Sequence, residues 1–153
     1  MNCKTKTGDT KMKIATIALT AILSTTIALP SIAGGNSANV IQNGWLNSLA
    51  GGQTGYHNHL ELHQWGFGNS IFATQDGADN VTAVGQVGAG NIVDSAQGGS
   101  NNLNAVSQIG SNNDATLETN GHGNTNVVMQ FGDGNTASTE VNGVGNSSVI
   151  VQY

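Results

Sequence analysis

Histidine and carboxylate side chains crowd together at one place in this chain, His57-Asn58-His59-Leu60-Glu61-Leu62-His63. On an extended strand residues 59, 61 and 63 share a face. His59, Glu61 and His63 could therefore present a comb of zinc or copper ligands, but solvated strand residues are the plainer reading and no metal site is assigned. Asp94, Glu118, Glu140 and His122 are scattered, no Ser stands in a nucleophile elbow, and the one cysteine is Cys3. No catalytic or cofactor-binding constellation forms, so the chain reads as a non-enzyme that needs no cofactor. The abundant functional group is of another kind: the primary amide, whose chemistry is to donate and accept hydrogen bonds at once.

These amides are strictly spaced. From Gln42 to Asn146 the pattern Q-x-G-x-x-N recurs ten times, every eleven residues, without insertion or deletion. The glycines are Gly44, Gly55, Gly66, Gly77, Gly88, Gly99, Gly110, Gly121, Gly132 and Gly143. The asparagines are Asn47, Asn58, Asn69, Asn80, Asn91, Asn102, Asn113, Asn124, Asn135 and Asn146. The glutamines are Gln42, Gln53, Gln64, Gln75, Gln86, Gln97, Gln108, Gln130 and Gln152, with Thr119 and Val141 interrupting the column. One supersecondary unit reused in lockstep is the signature of a stacked solenoid. Calcium-binding solenoids have a period of nine with an Asp in every copy, whereas Asp here is sporadic. An ice-binding face would need aligned threonines, and Thr74, Thr116 and Thr136 do not share a column.

A different kind of sequence comes first. All four basic residues, Lys4, Lys6, Lys11 and Lys13, precede an apolar run over 14–29, which Pro30 and the small-x-small triplet Ser31-Ile32-Ala33 follow. Residues 1–33 thus read as a secretory signal peptide cleaved after Ala33. The run, about 16 residues, is short of the roughly 20 that span a bilayer. Met12-Lys13 also begins a well-formed signal by itself, so the signal starts either at Met1 or at Met12, with 1–11 in the second case an upstream extension. The expected mature chain, 34–153, has no Cys and so no disulfide. It has no Lys or Arg, and of the nine acidic residues it loses only Asp9, leaving a formal charge of −8. A chain without cations does not bind a phosphate backbone.

Between each Asn and the next Gln lie five residues, of which the second and fourth share one strand face. Those positions run from Ala38 and Val40 to Ser148 and Ile150, are mostly apolar, and include no charged residue or His. A right-handed coiled coil also has an eleven-residue period, but a Gly in every repeat excludes helix. The expected fold is all-β: a β-solenoid of about five 22-residue rungs, stacked about 4.8 Å apart in two parallel, in-register sheets face to face. Strands are expected at 59–64, 81–86, 103–108, 125–130 and 147–152 in one sheet. The other takes 48–53, 70–75, 92–97, 114–119 and 136–141. The five-residue arcs between Gln and Asn need two permissive backbone positions, the repeat Gly and the residue before Asn. Residues 34–46 read as an export or targeting segment able to add a weak strand at 37–42, and 47–153 as the repeat solenoid. Each Gln and Asn amide is expected to donate to its own copy in the next rung, forming ladders. Glu118 and Glu140 fall one rung apart in an outward column and repel each other. No capping element or edge-protecting Lys is visible, which favours head-to-tail addition into a fibre.

Two copies, Gln64-Trp65-Gly66-Phe67-Gly68-Asn69-Ser70 and Gln130-Phe131-Gly132-Asp133-Gly134-Asn135-Thr136-Ala137, carry a resemblance that extends over about residues 36–153. They resemble the repeats of the curlins, subunits of the functional amyloid curli. The resemblance implies a secreted subunit of the extracellular biofilm matrix of a Gram-negative bacterium, mediating adhesion and aggregation. Its partners would be further copies of itself, a nucleator subunit, an outer-membrane export pore and a periplasmic chaperone-like factor. The closing Gln152-Tyr153 is more similar to the major subunit than to the nucleator. The alternatives are that nucleator, or a secreted β-solenoid adhesin that does not polymerise.

Overall fold

The computed structural model describes residues 34–153; the signal peptide expected at 1–33, with its extension 1–11, lies outside the described residues. Eleven strands follow one another. They are β1 (Ser37–Trp45), β2 (Ser48–Tyr56), β3 (His59–Phe67), β4 (Ser70–Ala78), β5 (Val81–Ala89), β6 (Ile92–Ser100), β7 (Leu103–Ser111), β8 (Asp114–His122), β9 (Thr125–Asp133), β10 (Thr136–Val144) and β11 (Ser147–Gln152). Odd-numbered strands form a six-stranded sheet in the order β1-β3-β5-β7-β9-β11, and even-numbered strands a five-stranded sheet from β2 to β10. Every pairing is parallel and joins residues 22 apart, so Gln64 lies over Gln86 and Gly66 over Gly88. This is the expected two-sheet β-solenoid.

The strands are longer than expected, nine residues rather than six in all but the last. The reason is that an arc, like a strand, stacks on an identical copy of itself. Its backbone groups therefore find the same parallel partners: Gly68 N–H donates to Trp45 O and Asp79 N–H to Tyr56 O, both at 2.9 Å. The ladder continues around the corner, and only two residues, such as His57 and Asn58, stand between one strand and the next.

The bend is made at two left-handed positions per repeat. The repeat glycine takes a positive φ in all ten copies, for instance 125° at Gly66, and so does the residue before each Asn, including Leu46 at 57° and His57 at 54°. Sequence flagged that second position in the copies where it is Gly, Asn or Asp. Leu46 and His57 adopt it as well, against their own preference, because the stack dictates the arc.

Burial alternates residue by residue through β3 to β10, as a sheet with one dry face requires. Leu49, Leu60, Leu62, Ile71, Val84, Val93, Val106, Leu117 and Val128 fill the space between the sheets, with Ala73, Ala115 and Ala137 among them. The segment 34–46 supplies β1, which pairs with β3 along its whole length, from Ser37↔His59 to Trp45↔Phe67. With only β3 beside it, its residues are almost all exposed.

Candidate functional site

The repeated polar residues are buried. Gln64, Gln86, Gln108 and Gln130 are fully buried, as are Asn58, Asn80, Asn91 and Asn113. A buried amide has two N–H groups and an oxygen to satisfy, and the stack satisfies them by repetition.

The glutamines form two columns. In the six-stranded sheet the Nε2 of Gln42, Gln64, Gln86, Gln108 and Gln130 donates to the Oε1 of Gln64, Gln86, Gln108, Gln130 and Gln152 in turn, at 2.8–3.1 Å. In the five-stranded sheet Gln53 donates to Gln75 and Gln75 to Gln97, at 2.8 and 2.9 Å. The second proton goes across the molecule: Gln64 Nε2 donates to Ser48 O, Gln86 Nε2 to Ser70 O and Gln108 Nε2 to Ile92 O. Each of these amides therefore ties its rung to the next and one sheet to the other. The cross-sheet bond was not legible in the spacing, because it depends on how closely the two sheets approach.

The asparagines depart from the expected amide-to-amide ladder. Asn58 Oδ1 accepts from the backbone N–H of Asn80 at 3.1 Å, while its Nδ2 donates to Gly77 O in the next rung and to Thr54 O in its own arc. The same three contacts recur at Asn69 and Asn91. Direct Asn-to-Asn amide bonds are present only further along, from Asn102 to Asn80 and in the three following copies. The side chain acts as a staple between backbones, and its length suits that task.

The glycines answer to the stack as well as to their φ. A Cβ built on Gly66 would fall on the carbonyl oxygen of Gly88, and the same collision meets Gly44, Gly55, Gly77, Gly88, Gly99, Gly110 and Gly121 in the rung above each. Gly132 and Gly143, in the last full rung described, meet no such carbonyl.

Thr119 and Val141, where the glutamine column stops, coincide with polar residues in the apolar columns. Thr119 Oγ1 donates to Asn104 Oδ1 at 2.7 Å, Asn104 Nδ2 to Ser95 Oγ at 3.0 Å, and Asn126 Nδ2 to Thr119 Oγ1 at 3.3 Å. Thr82 Oγ1 donates to Gln97 Oε1 at 2.8 Å, the same oxygen that accepts from Gln75 Nε2. What looks like decay of the repeat is a connected buried network that hydrogen-bonds between the sheets in place of the missing amides. Among the described residues Asn126 Oδ1 and Thr139 Oγ1 remain without partners.

No known protein family, curated protein or solved structure matches the chain.

The metal comb does not assemble. His63 Nε2 lies 3.4 Å from Glu61 Oε1, and its ring meets Trp65 edge-on. His59 takes no part in that contact. Among the described residues no three His, Cys, Asp or Glu side chains converge on a metal position. One pair escaped the sequence reading: Ser100 Oγ and His122 Nδ1 are 2.7 Å apart on the surface. Their separation of 22 residues, one full rung, was the available signal. Among the described residues no carboxylate pairs with His122. Glu118 and Glu140 are register neighbours, and each accepts a hydrogen bond from the Asn two residues on, Asn120 and Asn142. Asp133, exposed on an arc, is held below the ordinary carboxylate range by hydrogen bonds from Ser111 and Asn112.

Proposed function

We propose that this chain is a secreted structural subunit whose activity is its own polymerisation into an extracellular fibre of the curli kind. The observation that carries this reading is the complementarity of the ladder's two ends. At the first described rung Gln42 Oε1 is sheltered and has no donor among the described residues, whereas every later glutamine of its column accepts from the copy below. At the last described rung Gln152 Nε2 donates to Thr136 O and, among the described residues, lacks the glutamine oxygen that the interior copies reach. Asn146 Nδ2 donates only to Asn142 O, where interior copies also reach a glycine carbonyl in the next rung. One end is short of donors and the other short of acceptors, and a second copy supplies both.

The backbone edges point the same way. β1 and β2 at one end, and β10 and β11 at the other, each pair on one side only among the described residues. An unpaired edge with in-register polar ladders is a template for strand addition. The resemblance of the repeats to curlins adds the rest of the reading: export of the chain across the outer membrane of a Gram-negative bacterium through a dedicated pore, a periplasmic chaperone-like factor, a nucleator, and a place in the adhesive biofilm matrix. No catalytic role is proposed.

The test is to purify residues 34–153 and follow them by electron microscopy and fibre diffraction. Unbranched fibres with a reflection near 4.8 Å along the fibre axis are expected. A chain that stays monomeric and compact at high concentration overturns the reading.

A further inference from the structure

The two outer faces of the solenoid differ in charge. On the five-stranded sheet Asp76, Asp94, Asp114, Glu118 and Glu140 occupy outward positions, exposed or half-buried. The outward face of β5, β7, β9 and β11 has no charged side chain. Carboxylates border it at Glu61 on β3, at Asp79 on the arc before β5 and at Asp133 on the arc after Phe131. Val87, Ile109, Val149 and Val151 are exposed there, between 43% and 60%.

This face also has relief. Ala83 and Gly85 on β5, with Ala105 and Ser107 on β7, form the floor of a depression of about 330 Å³, with Glu61 and His63 on one side and Val127 and Met129 on the other. A Cβ added at Gly85 would meet nothing within 4 Å. Beside the depression Val127 and Met129 on β9, with Val149 and Val151 on β11, repeat the same two columns with large side chains and make a ridge. Hollow and ridge are adjacent, and each spans two strands. A two-fold axis between β7 and β9 lays the ridge of one copy into the hollow of another.

We propose that this apolar face of β5, β7, β9 and β11 pairs with the same face of a second copy of the chain, and so joins fibres side by side. The inference rests on the fibre reading above and concerns a surface that reading does not use. Charge selects the occupant. Residues 34–153 have eight carboxylates and neither Lys nor Arg, so two copies repel one another wherever acidic surfaces meet. The uncharged face is where a second copy approaches without that cost, and it removes exposed Val, Ile and Met from water.

Area decides the scale at which pairing appears. Four strands about 4.8 Å apart, each contributing about seven residues at about 3.3 Å, make a face of roughly 450 Å². A single pair of subunits then buries about 900 Å² in total, below the ~1,200 Å² at which specific complexes begin. Two isolated subunits associate weakly. Along fibres the contact recurs with every subunit, and the contacts act together as a multivalent set.

The experiment is mass per unit length of fibres by scanning transmission electron microscopy, on the wild type and three variants. Ala105→Glu and Ser107→Glu each put a charge on the floor of the hollow, and Thr74→Glu puts the same charge on the opposite sheet, on β4, which has a partner strand on either side. Wild-type and Thr74→Glu fibres are expected at twice the mass per length of one stack or more. Fibres of Ala105→Glu and Ser107→Glu are expected still to form, at the single-stack value. Wild-type fibres at the single-stack value, or hollow variants that stay paired, overturn the inference and leave the fibre reading intact. Single-stack wild-type fibres that bind phosphatidylcholine vesicles, with binding lost in Ala105→Glu, give the face to lipid and likewise overturn it. A wild type that forms no fibres overturns both.

Discussion

Each repeat residue is defined by what lies one rung above it. Gly88 takes a φ of 127° and a Cβ there would meet the Gly110 carbonyl, so Gly88→Ala combines backbone strain with a collision against main chain. The expected loss is about 3 kcal/mol or more, read as a lower guanidinium midpoint and a longer assembly lag. Asn91→Ala removes the acceptor of Asn113 N–H and the donor to Gly110 O. At about 1–3 kcal/mol for each buried group left unpaired, a loss of about 2–4 kcal/mol is expected in the same measurement. Thr139→Val should act in the opposite direction. The buried Thr139 hydroxyl has no partner, and replacing it with a methyl of similar size is expected to stabilise by about 1 kcal/mol. A lower midpoint for that variant would show that the hydroxyl is bonded after all.

At the level of elements, a strand's contribution depends on how many neighbours it has. β1 pairs with β3 alone and is exposed along almost its whole length, whereas β3 to β9 are sandwiched within their sheets. A chain starting at residue 47 loses β1 and the acceptor Ser37 O of Gln53, but keeps the apolar residues between the sheets. It is expected to form fibres with an unchanged spacing near 4.8 Å. If it forms none, β1 is part of the nucleus of assembly and not an accessory edge. The stretch from Thr82 to Asn126 makes a similar point. Its polar residues read singly as flaws in an apolar core, yet across two sheets they bond to one another.

For the whole molecule the dominant electrostatic quantity is the eight carboxylates of residues 34–153 with no Lys or Arg to offset them. Bringing such subunits together concentrates negative charge. Protonation relieves this repulsion, so the assembly lag is expected to shorten as pH falls from 7 toward about 4.5. Asp133 works the other way. Its folded-state pKa is depressed by Ser111 and Asn112, so its stabilising contribution is present above the ordinary carboxylate value and fades as pH falls through the lowered one. That contribution survives across the window in which the repulsion is relieved. Dye-binding lag times that stay flat from pH 7 to about 4.5 would show that charge does not control the rate.

Sequence by itself determined the period, the alternation of faces, the strand pairing 22 residues apart and the residues that line the interior, because a strict repeat in a solenoid leaves one register in which Gln lies over Gln and Gly over Gly. It also identified the amide and glycine columns. Tertiary structure decided which atoms those columns use. The asparagine staple and the second glutamine bond run between backbones brought together only by stacking and by the approach of the two sheets. The extension of the strands through the arcs has the same origin, since an arc can continue a ladder only when an identical arc lies above it. The uncharged outer face required both kinds of information: its residues are dispersed over the last half of the chain, and only the assignment of alternate strands to alternate sheets gathers them on one side.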